Sequence, residues 1–191
     1  TTPQSLEVTE NVPVTKTTTG VIVQTNTMTR ARAGHNMVAV STNAGEKVLV
    51  FGGTTRMFLR TGNTFPFELD PGNSLDSYEV FDVATQTFAG TSSTGAPFQM
   101  HLKRAFPMAQ RMFDHSILIA GGGPWPSTEA SYRKADLWAP YVNDNEGGLL
   151  TPTANRPEMV SVHNGGAMVK LEDTYEGQTR GLVVGGTTDA K

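Results

Sequence analysis

Three times along this chain an apolar run ends in a pair of glycines. The doublets are Gly52 and Gly53 in KVLVFGG, Gly121 and Gly122 in SILIAGG, and Gly185 and Gly186 in GLVVGG. Each is preceded by the same pattern: an apolar stretch, a polar turn, and a second apolar stretch that runs into the glycines. The three copies occupy residues 30–57, 101–126 and 159–190. Their period is about 65 residues, the scale of a supersecondary unit. A repeat of this kind constrains the fold more than composition does. One unit of a few strands cannot bury its apolar face alone and must stack on its neighbours.

A second pattern follows the first two doublets. Residues 74–93, SLDSYEVFDVATQTFAGTSS, alternate apolar and polar positions around a turn at 82–86 and read as a hairpin. Residues 130–152 are its counterpart, and residues 5–23 overlay on the same pattern. The expected order is half a unit in 1–23, two whole units in 24–158 and the first two strands of a further unit in 159–191. No stretch carries a useful helical period. The 191 residues are 37% hydrophobic and only 17% charged, with 20 Gly and 11 Pro. Polarity from Thr, Ser, Asn and Gly suits strands and turns, so the fold class expected is all-β. A chain of this length can bury about 70% of its extended surface.

The arrangement resembles the kelch repeat, in its bacterial, galactose-oxidase-like form, over nearly all of the chain after Gly20. In that family the second strand of a blade ends in Gly-Gly and the third and fourth carry aromatics. The resemblance implies β-propeller blades whose structural residues are the six doublet glycines with Tyr78 and Tyr132 in third strands. Phe81 and Trp138 lie three and six residues further on, and Phe88 fits the fourth strand. Glycine lets a strand end tightly where a Cβ would strike the neighbouring blade, and aromatics fill the gap that widens between blades. The period exceeds the kelch value of about 50 residues. The competing reading places the doublets in ordinary hairpin turns of a β-sandwich; the regular period argues against it.

A propeller closes with about four to eight blades. Two whole and two half blades fall short of that, so the propeller is incomplete or is completed by other segments. The chain is then a piece of a longer propeller, or pairs with other chains or a second copy, or hides further strands of divergent sequence. Its start at Thr1 rather than Met fits a processed product or a piece of something longer.

Several residues could carry chemistry. Arg30, Arg32 and His35 in RARAGH resemble the R-x-G-H opening of kelch blades, with Arg104 at the Arg position of the second copy and His163 comparable in the third. Recurrence points to a scaffold role, since a catalytic group has no reason to repeat. Asp114 and His115 precede SILIAGG and are read as structural; His101 is read as a solvated loop residue. The segment 54–73 is read as a long loop, with Arg56, Phe58, Arg60, Phe65 and Phe67 as partner contacts. The competing role for those phenylalanines is to pin the loop to its own blade. The equivalent loop at 121–133 offers Trp125 between two prolines. Residues 142–148, VNDNEGG, lack calcium-loop spacing and read as a turn.

The function expected is a non-catalytic protein-binding or surface-assembly scaffold, with a protein or the remainder of the polypeptide as partner. The alternative is a carbohydrate-active or oxidase-like kelch enzyme whose site lies partly in other blades. An oxidase of that kind uses a Tyr cross-linked to Cys, and the chain has no Cys. No catalytic residue, cofactor or metal is assigned. No phosphate loop is present, since Pro-Trp-Pro follows the third glycine of GGG. A net charge of −3 without a basic block gives no nucleic-acid surface, and no apolar stretch reaches membrane-spanning length. Absence of Cys with abundant Thr, Asn and Gly points to a secreted or cell-envelope setting.

Overall fold

The structure, a computed structural model, describes residues 27–59, 67–69, 73–123, 130–142, 147–150, 156–171 and 180–186, with strands Ser5–Glu7, Thr15–Thr18 and Val21–Gln24. The chain is all-β. Its strands are β1 (Ser5–Glu7), β2 (Thr15–Thr18), β3 (Val21–Gln24), β4 (Asn36–Thr42) and β5 (Gly45–Phe51). There follow β6 (Arg56–Leu59), β7 (Phe67–Leu69), β8 (Tyr78–Asp82), β9 (Thr87–Ala89) and β10 (Met108–Arg111). The remainder are β11 (Ile117–Ala120), β12 (Asp136–Ala139), β13 (Gly148–Leu149), β14 (Ala167–Leu171) and β15 (Arg180–Val184).

Two four-stranded antiparallel sheets carry the repeat, ordered β4-β5-β8-β9 and β10-β11-β12-β13. A third sheet holds β14 and β15. In each, the doublet follows the second strand, and the ladders set the sheets in register with one another. Phe51 faces Asn36, Ala120 faces Met108, and Val184 faces Ala167, each one residue before its doublet. The turn at 43–44 between β4 and β5 is tied by Thr42, whose hydroxyl donates to the Gly45 carbonyl (3.0 Å) and accepts from the Ala44 amide (3.1 Å). Such local bonds favour turns over continued ladder.

The first strands lie side by side: β10 packs against β4 on one flank and β14 on the other. The sheets therefore stack face to face. Val38, Val40, Leu49, Phe51, Tyr78 and Val80 of the first sheet meet Ala109, Ile117, Ile119, Trp138 and Leu149 of the second, and this seam is the main core. Side-chain parity sorts the faces: in β4, Val38 and Val40 turn to the second sheet while Met37 and Ala39 are exposed on the other side.

The segment 54–73, expected as a loop, contains the β6–β7 ladder, to which β1 adds as an outer strand through Leu6 opposite Met57. Strands β2 and β3 form a ladder of their own. In the second sheet a 3-10 turn at Ala130–Arg133 precedes β12 and contains Tyr132. Tyr132 is buried there, but it aligns with Leu75 of the first sheet. Ala135 is the counterpart of Tyr78: the amide of Tyr78 donates to Phe98 O (3.1 Å), and that of Ala135 to Pro157 O (2.7 Å).

Candidate functional site

Among the described residues, the most elaborate polar arrangement is a clamp built twice around a buried arginine. In the first sheet Arg32 Nη1 donates to the carbonyls of Gly52 (2.7 Å) and Ser77 (3.0 Å), and Nη2 to Glu79 Oε1 (2.7 Å). The Glu79 carboxylate also accepts from the amides of Thr29 (2.6 Å) and Arg30 (3.1 Å). In the second sheet Arg104 Nη1 donates to Gly121 O (2.6 Å), Nη2 to Lys134 O (2.5 Å), and Nε to Asp136 Oδ2 (3.3 Å). The parts correspond one for one: the arginine before the first strand, the first doublet glycine, the carbonyl two residues before the acid, and the acid in the third strand. An arginine suits the task because its planar fork satisfies several carbonyls and a carboxylate at once.

The third sheet replaces the arginine with His163, whose Nδ1–H donates to Gly185 O at 2.7 Å while Nε2 takes the Ser161 hydroxyl at 3.0 Å. Sequence spacing aligns His163 with His35, but the main-chain contacts align it with Arg32 and Arg104. The Gly53 amide donates to Arg104 O (2.7 Å) and the Gly122 amide to His163 O (2.9 Å), so each doublet is stitched to the clamp residue of the following sheet. That contact also explains the doublets. A Cβ on Gly52 would collide with Arg104 O, and one on Gly121 would stand 2.5 Å from His163 O, both at positive φ.

Burial governs the electrostatics. Desolvation presses both guanidinium groups below their ordinary pKa, with Glu79 and Asp136 pulling them back. His35 is lowered first by burial and then by the charge of Arg32, which favours its neutral form. Burial pushes the Tyr78 phenol up to about 12. Its ring stacks on Phe98 with centroids 5.0 Å apart.

His101, expected in solvent, lies against the second clamp with Nδ1 2.7 Å from Asp136 Oδ1. Arg156 stands 3.3 Å from the same oxygen. Neither Asp136 nor Glu79 is conspicuous in the sequence, although the arginine, doublet and acid recur in that order. Asp114 and His115 sit in the turn between β10 and β11 rather than on a strand. The Asp114 carboxylate accepts from the amide (3.0 Å) and hydroxyl (2.5 Å) of Ser116, and His115 Nδ1 faces Arg111. The two side chains are engaged apart, so they do not form an acid–base pair.

Among the expected contact residues, Arg56 opens β6 and is half-buried. Phe58 and Phe67 fall in β6 and β7, while Arg60, Phe65 and Trp125 lie outside the described residues, as does most of the turn at 142–148. Open clefts lie among the described residues. One of about 360 Å³ is lined by Tyr78, Ser92, Thr94, Phe98 and Leu149. Another of about 320 Å³ lies between Ser41, Asn43, Asp114, His115 and Tyr141. Among the described residues, no group of three or more His, Cys, Asp or Glu could hold a metal ion, and no helix is long and apolar enough to cross a membrane. No family model matches the sequence, and no curated protein matches it.

Proposed function

We propose that the two four-stranded sheets are kelch-type propeller blades, that β14 and β15 begin another, and that the chain is a non-catalytic scaffold for binding or assembly. The observation that carries this reading is the clamp repeated at Arg32 and Arg104. Buried charge is spent on locking doublet carbonyls and third strands, which fixes how blades stand around an axis, and not on a cleft. The clamp residues do not converge on one open site, as a catalytic set must. Partner contact falls to the segments after the doublets, 54–73 and 121–133, because insertions on a stacked-repeat scaffold emerge together at one end. A secreted or cell-envelope setting goes with this reading.

The test uses a variant with Arg56, Phe58, Phe67 and Trp125 all replaced by Ser. The parent chain, bound to its partner, is expected to lose amide exchange in 54–73 and 121–133, and the variant to lose the partner while keeping its β-type circular dichroism. Partner binding untouched by these substitutions overturns the reading. So does turnover of a sugar by the purified chain, which would favour the enzyme alternative.

A further inference from the structure

The seam between the first two sheets predicts what belongs on the outer face of the third. Register makes Val169 the counterpart of Val38, Leu171 of Val40, Leu182 of Leu49, and Val184 of Phe51. In the first sheet Val40, Leu49 and Phe51 are fully buried by the second sheet. In the third sheet Val169, Leu171, Leu182 and Val184 are 53%, 40%, 45% and 55% exposed. The main chain agrees with the side chains. Gly53 and Gly122 give their amides to the clamp residue of the next sheet, while among the described residues no carbonyl receives the Gly186 amide. A Cβ on Gly185 would likewise meet none of the described residues within 4 Å.

The complementary half of this seam lies at the other end of the same chain. Ala109, Ile117, Ile119 and Trp138 form the face that the second sheet turns back to the first. Their counterparts in the first sheet are Met37, Val48, Val50 and Phe81. Met37 is 60% exposed, Val48 and Phe81 are half-buried, and Val50, nearest the doublet, is buried. Just before them stands Arg32, whose carbonyl occupies the place that Arg104 and His163 use to receive a doublet amide.

We infer that the outer face of β14 and β15 is the seat of a second copy of this chain, which docks head to tail through the outer face of its own first sheet. The Arg32 carbonyl of that copy would take the Gly186 amide. Such an interface is heterologous, so it must close or propagate. Among the described residues each copy supplies three sheets of the repeat, so two copies bring six, within the roughly four to eight that close a propeller, whereas nine lies outside that range. The inference rests on the blade reading above but uses surfaces separate from the segments after the doublets.

Light scattering on the whole chain at about 100 μM, where association is favoured by mass action, is expected to give twice the chain mass of 20.5 kDa. Leu182→Glu and Met37→Glu, on opposite faces, should each weaken the dimer at least about tenfold, since each buries an unpaired charge in the seam. Mixing the two variants should restore part of the dimer, because one of the two seams is then intact. Gly185→Ala supplies a milder variant should Leu182→Glu fail to fold: its methyl meets nothing within 4 Å among the described residues but would strike the Arg32 carbonyl of the docked copy. A monomer at this concentration, or a dimer indifferent to all three substitutions, overturns the inference while leaving the blade reading standing. Loss of dimer with only one face sensitive also overturns it, since head-to-tail docking needs both.

Discussion

Arg32 and Glu79 meet at 2.7 Å with side chains 0% and 1% exposed, joining the entry of the first sheet to its third strand. A pair so placed contributes little net stability over an apolar pair, yet breaking it strands a charge. Glu79→Ala should cost about 3–5 kcal/mol in urea unfolding. The double variant Arg32→Met, Glu79→Leu should recover most of that loss. If the double variant is no better than the single, the clamp acts through its carbonyl bonds to Gly52 and Ser77 and not through charge compensation.

The doublets should be intolerant for a steric reason as well as a conformational one. Gly52→Ala drives a methyl into the Arg104 carbonyl, which cannot move without shifting the second sheet. A loss above about 3 kcal/mol is expected. Gly95 also has positive φ but opens on empty space, so Gly95→Ala should cost only about 1 kcal/mol. Thermal denaturation of the two variants side by side checks the contrast.

Trp138 sits fully buried between the first two sheets, with Ile117 and Leu149 as its cross-strand partners. Trp138→Ala should destabilise by about 3–5 kcal/mol through the cavity it leaves. The same change should loosen β4 and β8 in hydrogen exchange, since they form the opposite wall. Protection lost in β12 alone would mean that the sheets are not mutually supporting.

Asp82 is bonded to Lys47 and to the Thr85 amide, which together hold its carboxyl down at about 2. Because the folded value lies below the unfolded one of about 3.9, the carboxylate stabilises the fold above about pH 4 and loses that effect as pH falls toward 2. The pair is partly exposed, so the contribution should stay under about 1 kcal/mol. Asp82→Asn should therefore lower stability slightly at pH 7, with the difference from the parent closing by about pH 2. A difference that persists at acid pH would assign the effect to packing.

Much of the local structure can be read from the residues alone. The alternation in 74–93 and its turn at 82–86 appear as β8, the four-residue turn and β9. Local pattern carries these because side-chain parity and turn chemistry act over a few residues. The segment 54–73 is less legible. Its β6–β7 ladder is joined by β1 from about fifty residues earlier, a pairing that no local pattern encodes. His101 and His163 depart from their expected places for a related reason. Spacing counts residues, while the contacts to Asp136 and Gly185 depend on where the sheets bring the chain back.

The glycine doublets divide the same way. Repetition of the unit, its pairing of strands, and the glycines that end each second strand are all legible in consecutive residues, because period and alternation are local properties. Why the glycines are needed emerges from packing alone. The carbonyls of Arg104 and His163 approach them from the next sheet, and Arg32 and Arg104 reach back to hold their own doublets. Steric exclusion and charge burial act across sheets between residues far apart in sequence, so they become visible only once the sheets stand face to face.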